Sequence, residues 1–184
     1  MLAFASPKQW ERWLLKNHAK SDGVWLRFYK KASGVATVVY AEALDVALCY
    51  GWIDSQLKKY DEKSYLQKFT PRGRKSIWSK VNQGKVAALV KAGKMKAAGQ
   101  AAIDAAKSDG RWEAAYESPK NIRMPADFLR ELVKNNRARA FFGTLNKANT
   151  YGIAWRIQTA KKPETRARRI ALLIATLARG EKLH

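Results

Sequence analysis

Arg72, Arg74, Lys75, Ser76, Ser79 and Asn82 bring guanidinium, ammonium, hydroxyl and amide donors into one run, PRGRKSIWSKVN, which contains no acid. Such a set can hold phosphate or carboxylate. Arginine offers a planar pair of donors, lysine a mobile point charge and serine a hydroxyl. Ser76 or Ser79 also stands where a helix would begin, so the N–H groups and dipole of its first turn would join the same site. Just upstream, WIDS puts Trp52 and Asp54 on one face of a strand and Ile53 and Ser55 on the other. Two readings follow. In one, Asp54 pairs with Arg72, Arg74 or Lys75 and fixes the fold, as half-buried carboxylates ordinarily do. In the other, these cations and Ser76 hold an external anion, with Trp52, Asp54, Trp78 and Asn82 lining or supporting the site.

A second basic run, KKPETRARRI, begins a helix at Pro163. Ile170, Leu173, Ile174 and Leu177 define its buried stripe, and at 100° per residue Arg166 falls within that arc while Arg168 and Arg169 do not. Arg166 must therefore meet an acid such as Glu164 or Asp54, or a bound anion, and it joins the candidate anion-binding residues. Arg168 and Arg169 read as a solvated face.

Other chemistry has little to work with. The histidines are His18, ending an amphipathic helix, and His184; the one cysteine, Cys49, lies in a largely apolar helix and reads as an inert core thiol. No catalytic residue is designated. No cluster has metal-ligand spacing, and neither G-x-x-x-x-G-K-S/T nor G-x-G-x-x-G occurs, so neither metal nor organic cofactor is expected.

The elements that must position these residues are read from periodicity and breakers. Ser6-Pro7 starts a helix to about Asn17, Val24–Lys31 is a strand, and a helix from Tyr40 stops at Gly51. Trp52–Leu57 and Tyr65–Thr70 form a hairpin, Pro71 ends its second strand, and a helix runs to about Lys91. Gly93 and Gly99 interrupt a further helical stretch ending near Asp109-Gly110. Beyond Pro119 and Pro125 the pattern is helical only. The expected fold is α+β, a small antiparallel sheet with packed helices in residues 1–120, followed by an all-helical segment, 121–184.

Long matching stretches then resemble the YdeI/OmpD-associated, or bacteriocin-protection, family: ALCYGWIDS with FTPRGRKSIWSKVN, flanked by WERWLLKNH, VWLRFYKKASG, GKMKAAG, DGRWEAAY, MPADF and AKKPETRARRI. The resemblance implies an α+β core with a helical C-terminal segment and brings no catalytic mechanism.

Charge gives the functional class. Thirty-six Lys and Arg against 15 Asp and Glu leave +21, a field that concentrates nucleic acid, anionic lipid or acidic protein. With no signal-peptide pattern and no apolar run long enough to span a bilayer, a cytoplasmic location is expected. Trp25, Phe28, Tyr29, Tyr65, Phe69 and Trp78 interleave with Arg27, Lys30, Lys31, Lys68 and Arg72. They form either an ordinary core with a cationic solvent side or a face that stacks bases and holds phosphates. The leading expectation is a basic binding protein for an anionic partner, nucleic acid ahead of acidic protein or lipid headgroup. The alternative is a small-ligand protein or enzyme with a phosphate or carboxylate site at Asp54, Arg72, Arg74, Ser76 and Trp78.

Overall fold

The computed structural model describes residues 1–183; His184, weighed above as a histidine, lies outside them. Among the described residues the elements run α1 (Pro7–Asn17), β1 (Val24–Tyr29), a 3-10 turn (Lys31–Ser33), α2 (Tyr40–Cys49), β2 (Trp52–Lys59), β3 (Ser64–Pro71), α3 (Lys80–Lys91), α4 (Ala97–Ser108), α5 (Ala126–Leu132), α6 (Asn136–Phe142), α7 (Lys147–Gln158) and α8 (Pro163–Ala178). The α+β class read from the pattern is the one found. The described residues divide into two compact units, one of residues 1–78 and 82–113, the other of 79–81 and 114–183.

In the first unit β2 and β3 form the hairpin, and β1 adds antiparallel to the far side of β3, giving the order β1-β3-β2. Pro71 therefore closes the central strand at its last residue, where a missing N–H costs least. Val24, Leu26 and Phe28 of β1 point inward with Phe69 of β3, against Trp10 and Leu14 of α1 and Leu44, Ala47 and Leu48 of α2. Trp10, Trp13 and Trp52 gather there ring against ring, with Phe69 on Trp10. The buried indole N–H groups find carbonyls: Trp10 Nε1 donates to Ala43 O at 3.0 Å and Trp52 Nε1 to His18 O at 3.1 Å. Tyr50 ends α2 and Gly51 follows with φ +72, the left-handed turn that a glycine makes without strain.

The second unit is helical. Phe128 and Leu132 of α5, Ala138 of α6, Ile153 and Ile157 of α7, and Ile170, Leu173 and Leu177 of α8 make its core. Asn135 and Asn146 accept from the backbone N–H groups of Ala138 and Asn149, capping α6 and α7.

Candidate functional site

After Pro71 the chain turns sharply. Arg72 N donates to Gly51 O at 2.9 Å, and a four-residue turn follows in which Ser76 N donates to Gly73 O at 2.9 Å and Gly73 N to Ser76 Oγ at 3.0 Å. The Ser76 hydroxyl is thus engaged inside the turn. Arg74 and Lys75 ride exposed at its tip, and among the described residues neither enters an ion pair. Arg72 folds back: its Nη1 donates to Ile77 O at 3.3 Å, and its guanidinium lies 3.6 Å from the centre of the buried Trp78 ring. Trp78 leans on Trp112, centroids 4.9 Å apart.

A residue the sequence reading did not single out holds this turn. Arg111, 6% exposed, donates through Nε to both Asp109 carboxylate oxygens, at 2.8 and 2.7 Å, and through Nη1 to Ser76 O at 3.1 Å. Its signal was DGRW, where Gly110 at φ +74 turns the chain so that Arg111 and Trp112 approach the loop together. Ser79 is buried in a parallel bridge with Tyr116, and Lys80 N, at the start of α3, donates to Tyr116 O at 2.9 Å. Protein thus occupies that first amide of α3. Asn82 sits half-buried in the first turn.

Asp54 accepts from the Tyr40 hydroxyl at 2.8 Å, so a neutral phenol stands where an arginine was one expected partner. Trp52 belongs to the core. Arg166 does point into its own unit, and the acid it meets is Asp127, rather than Glu164 or Asp54. Nε and Nη2 grip the two carboxylate oxygens at 2.6 and 2.9 Å, and Nη1 reaches Ile157 O at 2.9 Å. Hydrogen bonding to Arg166 is the main cause holding the Asp127 carboxyl below its usual range.

The aromatic residues divide between the faces of the sheet. Phe28, Phe69 and Trp78 are buried, and Tyr65 stacks on Phe28 at 5.4 Å and 12°. Trp25, Arg27 and Tyr29 alternate to the other face of β1, where Lys68 of β3 lies directly across from Trp25. Lys58 Nζ is 4.9 Å and Lys68 Nζ 5.9 Å from the Trp25 ring centre. The Arg27 guanidinium lies 4.5 Å from Tyr29 and 4.8 Å from Tyr60, a half-exposed ring the sequence reading passed over. Arg27 is fixed there by Ser64 Oγ at 2.9 Å and Asp61 at 2.6 Å. Bonds from the Ser64 hydroxyl and the Lys63 N–H, with the charge of Arg27, hold the Asp61 carboxyl below its usual range. This face presents rings and cations in alternation, the chemistry that stacks bases and neutralises phosphates.

Among the described residues no group of three or more His, Cys, Asp or Glu is placed to hold a metal. His18 Nδ1 lies 2.9 Å from Leu14 O. Cys49 is buried, and burial pushes its thiol up to about 11. Among the described residues no helix is long and apolar enough to cross a membrane.

Comparison with known proteins follows this division of the chain. Residues 2–102 match the family described as Domain of unknown function (DUF8412), and residues 121–180 match the family described as Bacteriocin-protection, YdeI or OmpD-Associated. No curated protein and no solved structure gives a significant match.

Proposed function

We propose that this chain, which belongs to the DUF8412 family and carries a YdeI/OmpD-associated domain in its helical part, is a binding protein for single-stranded nucleic acid. The observation that carries the reading is the outer face of the sheet. Trp25, Tyr29 and Tyr60 are planar platforms with no sequence code of their own, and Lys58 and Lys68 hold charge 4.9 and 5.9 Å from the Trp25 ring centre, while Arg27, tied to Asp61, fixes the position of Tyr29 and Tyr60 beside them. Arg74 and Lys75, on the turn that follows β3, add exposed cations that pair with no acid among the described residues. The +21 charge of the chain supplies the long-range attraction.

Fluorescence anisotropy with mixed-sequence RNA and DNA tests it. Binding is expected to favour single strands over duplexes, with little base preference. If about four phosphates are neutralised, log K falls with log salt at a slope of about −3 on single strands. Trp25→Ala is expected to weaken single-strand binding about fivefold or more, since stacking on one aromatic is worth about 1–3 kcal/mol, with the melting temperature kept. Absence of binding to every strand at low salt removes nucleic acid as the partner. A duplex preference unaffected by Trp25→Ala removes the sheet as the site.

A further inference from the structure

The helical unit contains a cavity of about 350 Å³ between the end of α7 and α8. Trp155, Arg156, Thr159, Arg169, Leu172 and Leu173 line it, and none of them is acidic. Among the described residues the unit's ion pairs lie elsewhere, joining Arg166 to Asp127, Lys134 to Glu131 and Arg179 to Glu181. Neither Arg156 nor Arg169 takes part in one.

Arg169 is held in place by one nitrogen. Its Nη1 donates to Arg156 O at 2.5 Å and to Thr159 Oγ1 at 3.3 Å, which caps carbonyls at the end of α7. The opposite edge, Nε with Nη2, carries no bond to any of the described residues. That edge is the fork that meets two oxygens of a phosphate side-on. Arg156, half-buried, makes no side-chain hydrogen bond among the described residues and adds a second guanidinium. The Trp155 indole is fixed by an edge-on contact with Tyr116, centroids 6.0 Å apart at 87°, and the exposed Leu172 completes an apolar wall. A ring-sized apolar wall beside two unneutralised guanidiniums, in a volume at the lower end of small-ligand sites, selects one kind of ligand.

We infer that this cavity binds a nucleoside phosphate, with the base against Trp155 and Leu172 and the phosphate held by Arg169 and Arg156. The shared chemistry is an aromatic heterocycle carrying a phosphate, whether a free nucleotide or the phosphorylated end of a strand. The site lies in the helical unit and is independent of the sheet face.

Anisotropy of a fluorescent ethenoadenosine monophosphate, with the whole chain at low salt, tests the assignment. Saturable binding is expected, displaced by adenosine monophosphate and far less by adenosine or orthophosphate alone. Arg169→Gln is expected to weaken it tenfold or more. Because that variant also loses a helix cap, Arg156→Gln, which removes no bond within the protein, is the second probe, with a loss of about fivefold and an unchanged melting temperature. Trp155→Phe should weaken the nucleotide while leaving orthophosphate untouched, and Trp25→Ala should leave nucleotide binding intact even if the sheet reading fails. A 5′-phosphorylated trinucleotide that outcompetes the mononucleotide identifies a strand end as the ligand; the reverse order identifies the free nucleotide. No saturable binding, equal affinity for orthophosphate and nucleotide, or wild-type affinity in both arginine variants overturns the proposal.

Discussion

Trp52 and Trp78 lie in one sequence motif and are both buried, yet their indole nitrogens have different fates. Trp52 Nε1 donates to His18 O, whereas Trp78 Nε1 finds no acceptor among the described residues and its ring is faced by Arg72 instead. Phenylalanine keeps a face for the guanidinium but supplies no N–H. Trp52→Phe is therefore expected to destabilise the protein by about 1 kcal/mol more than Trp78→Phe, the worth of a buried hydrogen bond whose acceptor is left bare, as measured by chemical denaturation. Asp127 gives a pH-dependent counterpart. Its folded carboxyl titrates below the ordinary value near 3.9, so the stabilisation it contributes is complete above that value and lost as pH falls through the folded one. Asp127→Asn should cost about 1–2 kcal/mol at pH 7, a figure kept small because the pair is one-third exposed. The gap to wild type should close in melts below about pH 4. The inward aim of Arg166 was legible from helical phase. Its partner was not, because Asp127 is 39 residues away and nothing local marks two such positions as neighbours.

At the scale of elements, helix and strand positions follow from features that act within a few residues. Pro7 opens α1, Gly51 closes α2, and the alternation of VWLRFY separates the two faces of β1. The sheet order was beyond that reach, since hairpin chemistry joins β2 to β3 but does not say which edge β1 takes. Gly99 shows the same limit. Its type suggests a break, but it lies inside α4 because the helix passes so close to the end of α2 that a Cβ there would meet the Cys49 carbonyl and Met95 Sδ. Gly84 in α3 has open space around it. Alanine should separate the two: Gly84→Ala stabilises by up to about 1 kcal/mol through helix propensity, while Gly99→Ala destabilises by about 2 kcal/mol because the obstruction is backbone and cannot rotate aside. Thermal melts of both variants check the sign of each change.

For the whole molecule, net charge was legible at once, but the placement of its cations was not. Composition gives an attraction without an address. The structure spends Arg72, Arg111 and Arg166 on packing and pairing while Lys58, Lys68, Arg74, Lys75 and Arg156 face outward or line open space. The sheet also has two unlike margins. On the β1 side Leu2 lies parallel to the strand, its N–H donating to Trp25 O and its carbonyl accepting from Arg27 N. On the β2 side the ladder loses register between Asp54 and Leu57, and Lys58 and Lys59 follow. An irregular margin carrying adjacent like charges is a poor template for an incoming strand, because a second copy would meet both a broken hydrogen-bond register and repulsion. If a polyanion gathers many copies of this chain, as proposed above, this margin works against their fusing edge to edge into fibrils.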